Sequence, residues 1–464
     1  MMLSFHGADQ AVTGSCHRIE AEGLKLLVDC GLYQGRQELV DENRAPFGFE
    51  PADIDVLLLT HAHLDHCGRI PLLVKQGFRG EIIATDATRE LARLVLLDSA
   101  HVNEEEARRA ERKTHRRGAA SPAPLYTVVD AMWCLDRFGR TANYGEPLAF
   151  NDQVSATFID AGHILGSAAV LLDIGHGGAR RRIVFSGDLG GAGHPIVRDA
   201  TPPPRCDYVV METTYGDRLH RSLQDSIEEL WQAVHDTLQR GGNVIIPTFA
   251  LERSQEILFF LREGVARGRL PQTLPVFLDS PMAISATEIM RRHPECFDEE
   301  ARHALASGDP FALPGLRFSR EAADSMALNR ITGGAVIIAG SGMCAGGRIR
   351  HHLRHNLWRA QSSVIFVGYA AEGTLAREII DGGRAVEIFG EAVQVNARIH
   401  TINGFSAHAD QAGLLAWHEA TGEPTMTFLV HGDPDHGMKS MAELLEQRGR
   451  PTMRPALHQR VALE

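Results

Sequence analysis

The segment that most constrains this chain is an apolar run, Ile54-Asp55-Val56-Leu57-Leu58-Leu59, that ends in Thr60-His61-Ala62-His63-Leu64-Asp65-His66. A short run rich in leucine and β-branched residues reads as a buried strand. Four side chains able to ligate a metal then follow within six positions. Packing does not call for such density, because polar groups gathered at a strand end are costly to bury. On an extended backbone His61 and His63 project to the same side, and a turn into a helix sends Asp65 and His66 elsewhere. One loop can thus contribute to two ions. A catalytic zinc takes about three protein ligands beside its water, so other segments must complete the set.

The candidates are polar residues at further strand-end turns: His163 in Asp160-Ala161-Gly162-His163, Asp188 in Ser186-Gly187-Asp188, and His431 in Val430-His431-Gly432-Asp433. Each alone reads as an ordinary turn residue. The seven cysteines are scattered without a C-x-x-C pair, which fits reduced thiols and leaves any metal to histidine and carboxylate.

With 464 residues, 44% of them hydrophobic, the chain can bury the cores of two or three domains. No apolar run approaches the roughly 20 residues a membrane span needs, and the start Met1-Met2-Leu3-Ser4-Phe5-His6-Gly7 lacks the pattern of a secretory signal. A cytoplasmic protein with no membrane partner is expected. The net charge of −12 weighs against nucleic acid, but charge distribution can override the total. Two segments are locally basic, Arg108 to Arg117 and Arg348 to Arg354. The first reads as a solvated helix face, and the second follows a glycine-rich turn.

Short apolar runs ending in polar loops fill the first 200 residues, among them Leu24 to Gly31 and Ile183 to Gly190. Thr201-Pro202-Pro203-Pro204 opposes both helix and ladder and suggests a boundary. Residues 1–204 are then a first domain. Strands expected at Asn243 to Pro247, Pro275 to Leu278, Ala335 to Ala339 and Ser363 to Gly368 alternate with helical stretches, giving a second, α/β domain over 205–390. Residues 391–464 resume with histidine-bearing turns at His408 and His431, a segment that the resemblance given next assigns to the first domain.

In order and spacing, Asp29, the His61 to His66 loop, His163 and Asp188 resemble the metallo-β-lactamase superfamily. The resemblance implies an α/β fold, an αββα sandwich, with His61, His63 and His163 on one zinc, Asp65 and His66 on another, and Asp188 bridging. It makes Asp29 a support behind the ligands. The long stretch from Asp188 to His431 resembles the β-CASP nucleases, a group that includes the endonuclease subunit of the cleavage-and-polyadenylation factor. It carries Glu212 in Glu212-Thr213-Thr214-Tyr215-Gly216, Pro247-Thr248-Phe249-Ala250 with Arg253, Asp279-Ser280-Pro281-Met282, Ser341-Gly342-Met343 and Gly373-Thr374-Leu375. Family motifs A, B and C fall on Glu212, His408 and His431, and a histidine in motif C favours RNA over DNA.

The resemblance implies a zinc-dependent endoribonuclease acting on single-stranded RNA through a metal-bridged hydroxide. Asp65 and Asp188 would serve the metals, and His408, oriented by Glu212, would be the general acid. Ser341 and Arg348, at a glycine-rich strand-to-helix turn, are the candidate RNA contacts. The chain departs from the family at Gly368-Tyr369-Ala370 and Leu375-Ala376-Arg377. Ligand type admits manganese as well as zinc, and a homodimer is compatible with the sequence. The alternatives are a 5′–3′ exoribonuclease and, from another class, a small-ester or thiolester metallo-hydrolase.

Overall fold

The computed structural model describes residues 1–35, 37–114, 123–368 and 370–464. The chain forms two compact units. The first comprises residues 1–193, 199–219 and 408–464; the second comprises 194–198 and 220–407.

The first unit is built on two seven-stranded sheets. One runs, edge to edge, through Arg460–Ala462, Met2–Phe5, His17–Ala21, Leu24–Val28, Val56–Leu58, Glu81–Ala84 and Phe138–Thr141. The other runs through Thr452–Met453, Met426–Val430, Tyr208–Glu212, Arg181–Phe185, Ala168–Ile174, Val154–Asp160 and Pro147–Ala149. Alternation along each strand divides its side chains between two layers. Leu26, Val28, Val56 and Leu58 meet Phe158, Val170, Leu172, Phe185 and Phe428 between the sheets. Ala169, Leu171, Val184, Val209 and Leu429 point outward, where Leu414 and Trp417 of helix Gln411–Ala420 and Met441 and Leu445 of helix Gly437–Gln447 cover them. This is the αββα sandwich that the resemblance implied. Phe428 lies at its centre, and truncation to alanine would cost about 3–5 kcal/mol.

The second unit holds a six-stranded parallel sheet, in the order Leu316–Phe318, Val276–Leu278, Val336–Ala339, Val244–Pro247, Ser363–Phe366 and Arg398–Thr401. Its central strands are buried on both faces and read as unbroken aliphatic runs, as parallel strands do. A hairpin, Ala385–Ile388 with Glu391–Gln394, stands apart from that sheet.

The divisions expected at 204/205 and 390/391 do not coincide with these units. The proline run does lack helix and strand, but the chain emerging from it returns to the sandwich: Tyr208–Glu212 pairs in parallel with both Arg181–Phe185 and Met426–Val430. At the other end, residues 391–407 stay with the second unit because Arg398–Thr401 extends its sheet.

Arg108 and Arg109 pair with Glu104 and Glu105 one helical turn away, the solvated face expected of that segment. Its residues 115–117 lie outside the described residues, as does Tyr369. Among the described residues, no helix is long and apolar enough to cross a membrane.

Candidate metal centre

The strand Val56–Leu58 runs parallel to both its neighbours, so its C-terminal end opens into a loop, and His63 becomes the N-cap of the short helix Leu64–Cys67. His163 sits in the connection between antiparallel strands Val154–Asp160 and Ala168–Ile174. There its backbone N–H donates to Ser167 Oγ, and Gly162 takes a positive φ of 63°. Asp188 follows the strand Arg181–Phe185 after Gly187, whose φ of 56° suits glycine. His431 ends the strand Met426–Val430.

These turns converge. Donor atoms of His61, His63, His163 and Asp188 all lie within 4.8 Å of one another, and so do those of Asp65, His66 and His431. In the first group, His63 Nδ1 is 3.1 Å from His61 Nε2 and 3.2 Å from His163 Nε2, while Asp188 Oδ2 is 3.5 Å from His61 and 3.6 Å from His163. In the second, His66 Nε2 is 3.3 Å from His431 Nε2, which lies 3.4 Å from Asp65 Oδ2. Asp188 Oδ1 faces this second group, 3.2 Å from His66 Nε2 and 3.4 Å from His431 Nδ1.

Two observations test whether the residues suit metal ions. Ligands about 2.0–2.1 Å from a tetrahedral ion stand roughly 3.3 Å apart, which matches the spacings above. Asp188 Oδ1 is buried and has no hydrogen-bond partner among the described residues, a costly state unless a cation compensates it. The residues therefore fit divalent metal in donor chemistry and spacing, and one oxygen of Asp188 faces each donor group.

The electrostatics of His61, His63 and the two carboxylates agree with the ligand role. Burial, aided by neighbouring histidines, holds His61 well below the usual imidazole range, and burial lowers His63 to about 4, so both rings are neutral and present lone pairs. Burial would raise Asp188, but His431, His66, His408 and His61 around it keep the carboxyl well below its usual range. Burial likewise works against Asp65, which a hydrogen bond from His431 and the charge of His66 keep lowered and ionised.

Behind the ligands stands Asp29, at φ 61° and buried. It accepts from the Thr60 backbone N–H at 2.8 Å, from Thr60 Oγ, from Ser15 Oγ at 3.3 Å and from His66 Nδ1 at 2.7 Å. Thr60 Oγ in turn lies 3.1 Å from His61 Nδ1. With Nδ1 taken as the donor of each ring in this network, Nε2 of both His61 and His66 faces the donor clusters; burial would lower His66, but Asp188 and Asp29 hold it well above the usual imidazole range, so a cation at its Nε2 would displace a proton.

Glu212 is fully buried. Its oxygens accept from the backbone N–H of Leu189 at 2.6 Å and of Thr214 at 3.3 Å, and both stand 3.3 Å from His408 Nδ1. His408 Nδ1 also lies 3.9 Å from Asp188. Burial would lower this imidazole, yet Glu212 and Asp188 hold it up to about 9.

The structure thus brings the seven expected ligands, Asp29, Glu212 and His408 together. Sequence reasoning missed Thr60, Ser15 and Thr214, the last with its hydroxyl 3.2 Å from His431 Nδ1. Thr60 directly precedes His61 and Thr214 stands two residues after Glu212, the signal that could have found them; Ser15 carries none. The two expected RNA contacts belong to the second unit. Ser341 is half-buried with its hydroxyl 3.4 Å from Gly346. Arg348 is engaged internally, donating to Asp279 at 2.7 Å and to the carbonyls of Ser319 and Arg320 at 2.9 and 2.7 Å.

A sandwich with this donor set at its strand ends defines a metal-dependent hydrolase. Three family profiles match in succession: the metallo-β-lactamase superfamily over residues 10–242, the Beta-Casp domain over 254–379, and the Zn-dependent metallo-hydrolase RNA specificity domain over 392–455. The chain belongs to the β-CASP family of the metallo-β-lactamase superfamily. It is 42% identical to Ribonuclease TTHA0252 of Thermus thermophilus, over 96% of this chain and 95% of that one. It is 32% identical to the transcription termination factor FttA of Methanosarcina mazei and 30% identical to that of Methanocaldococcus jannaschii. It spans only 66% and 67% of their lengths. A crystal structure of a protein of unknown function from Enterococcus faecalis shares the fold, with a TM-score of 0.57 at 12% identity, covering 100% of this chain and 99% of that one.

Proposed function

We propose that this protein is a two-zinc ribonuclease that cuts single-stranded RNA internally. The observation that carries the reading is the division of Asp188 between two converging donor groups, one with His61, His63 and His163, the other with Asp65, His66 and His431. These residues would hold the ions, zinc by family and manganese as the alternative that the same ligands accept. Bound there, two divalent cations supply an acidified water and positive charge opposite the charge that builds on a phosphodiester.

The remaining work falls to the chain. His408 gives a proton to the departing sugar oxygen, a role suited to an imidazole that its carboxylate neighbours keep protonated at neutral pH. Glu212 fixes the Nδ1 edge of that ring, so proton transfer is assigned to Nε2. Glu212 itself is locked by two backbone N–H groups. Asp29 orients His66 and, through Thr60, His61. RNA as substrate is supported by the RNA specificity domain and by the relative named as a ribonuclease.

Internal cleavage is supported by the state of Arg348. An enzyme that measures from a terminal phosphate needs cationic groups for it, and the guanidinium at the glycine-rich turn is already matched by Asp279 and two carbonyls. The test is purified protein with zinc and an end-labelled single-stranded RNA, beside DNA of the same sequence. Internal RNA fragments are expected. Mononucleotides from the first time point would move the assignment to exonuclease, and intact RNA with zinc bound would overturn it.

A further inference from the structure

From Ala345 to Ala360 the chain carries four arginines, three histidines and no acidic residue, within a protein of net charge −12. The helix Ile349–Asn356 sorts them by face. Ile349, His352, Leu353 and Asn356 are buried, with Leu357 following them. Arg350, His351, Arg354, His355 and Trp358, at helical spacing i, i+1, i+4, i+5 and i+8, make up the other face. His351, His355 and Trp358 are exposed, and Arg350 and Arg354 half-exposed.

A second aromatic ring joins this stripe. Phe389 sits at the tip of the hairpin Ala385–Ile388/Glu391–Gln394 at φ 55°, followed by Gly390 at 81°, a two-residue turn that favours asparagine or glycine. Phe389 is nonetheless 45% exposed. It lies 4.5 Å from the His351 ring at an interplanar angle of 35°, with the Arg350 guanidinium 4.8 Å from its centroid. At the far end Trp358 is 56% exposed, with Arg359 5.9 Å over its ring. Among the described residues no carboxylate pairs with Arg350, and the partner of Arg354 is the exposed Glu391, a pair that a phosphate can replace at little cost.

We propose that this stripe, Arg350, His351, Arg354, His355 and Trp358 with Phe389, is a binding surface for single-stranded RNA, formed from residues that the metal centre does not use. It rests on the RNA reading above. Guanidinium groups track the phosphates, while Phe389, Trp358 and the histidine rings offer planes on which unpaired bases stack without regard to sequence. Burial and the adjacent His352 and Arg354 lower His351, and burial and Arg354 lower His355, so both rings are neutral at pH 7 and can stack. The surface serves to tether a strand.

The test uses the full chain carrying Asp188→Ala, in EDTA so that RNA stays intact, and reads fluorescence anisotropy of a labelled oligouridine across a salt series. Arg350→Glu/Arg354→Glu in that background should weaken binding about tenfold or more and reduce the slope of log K against log salt by about 1.4, near 0.7 for each phosphate left without its arginine. Phe389→Ala/Trp358→Ala should weaken binding about fivefold or more with the slope unchanged. Circular dichroism verifies that the variants fold, and if one does not, Arg350→Gln and Phe389→Leu replace it. Variants that bind like their parent, or a parent that binds no RNA, overturn the surface. If only the arginine variant loses affinity, and loses it equally for heparin, the stripe is a general polyanion patch and the single-strand proposal falls. Cleavage by the zinc-loaded natural protein is read separately, so an inactive enzyme with an intact binding pattern would sink the nuclease reading and leave this surface standing.

Discussion

Nδ1 of His66 lies 2.7 Å from Oδ2 of Asp29, and the opposite ring nitrogen of His66 is 3.2 Å from Asp188, so one imidazole is held between two carboxylates. Replacing Asp29 with asparagine keeps the shape but removes the charge that fixes this ring. Zinc affinity should fall about 10- to 100-fold, as for other partners behind metal ligands. Competition with a chromogenic chelator measures it; unchanged affinity would refute the supporting role.

Glu212→Gln should lower kcat about 100-fold while zinc content is retained, because a misoriented acid forfeits most of its contribution. The pH profile adds a second reading. His408 has a raised pKa, near 9, so its acid form persists through neutrality and activity falls as pH rises through that value. Bound cations act in the opposite direction, placing the limb at or below about 9. In Glu212→Gln the limb should move to lower pH, and in His408→Ala it should vanish.

The metal loop was legible in the sequence because its ligands crowd a single strand end, and the later turns gained meaning from it. Which side chains Asp29 holds was not, since Ser15 and Thr60 lie beside different strands and meet Asp29 only when those strands align in the sheet. Proline chemistry indicated a connector at residues 202–204 but could not show that Tyr208–Glu212 would find parallel neighbours on both sides. The engagement of Arg348 was not legible either, because the carboxylate that holds it, Asp279, lies 69 residues away in sequence.

Asp279 is the centre of a buried network in the second unit, accepting from Ser325 and His352 at 2.6 Å each and from Arg348 at 2.7 Å. Burial opposes its ionisation, but His352, Ser325 and Arg348 keep its pKa below the ordinary 3.8. A depressed folded pKa means the stabilisation is complete above the unfolded value and disappears as pH falls through the folded one. Urea midpoints should therefore decline below about pH 4. Asp279→Asn should cost roughly 3 kcal/mol at pH 7 and flatten that acid decline. A variant as stable as its parent at neutral pH would contradict the network's role.

Removing metal should destabilise the sandwich, because the neutral rings and the unpartnered Asp188 Oδ1 are then left without compensation. At free zinc about 1,000-fold above Kd the linkage is about 4 kcal/mol, which lowers the unfolding temperature by roughly 8 °C on chelation. Calorimetry with and without EDTA checks this. Asp188→Ala should respond far less.

The most direct test is titration of zinc into metal-free protein while cleavage of an end-labelled single-stranded RNA is followed. Internal fragments should appear as the second equivalent binds, and Asp188→Ala should yield none at any zinc concentration. Cleavage at the full rate by the metal-free protein, or by Asp188→Ala, would contradict a hydrolase built on the two oxygens of that residue.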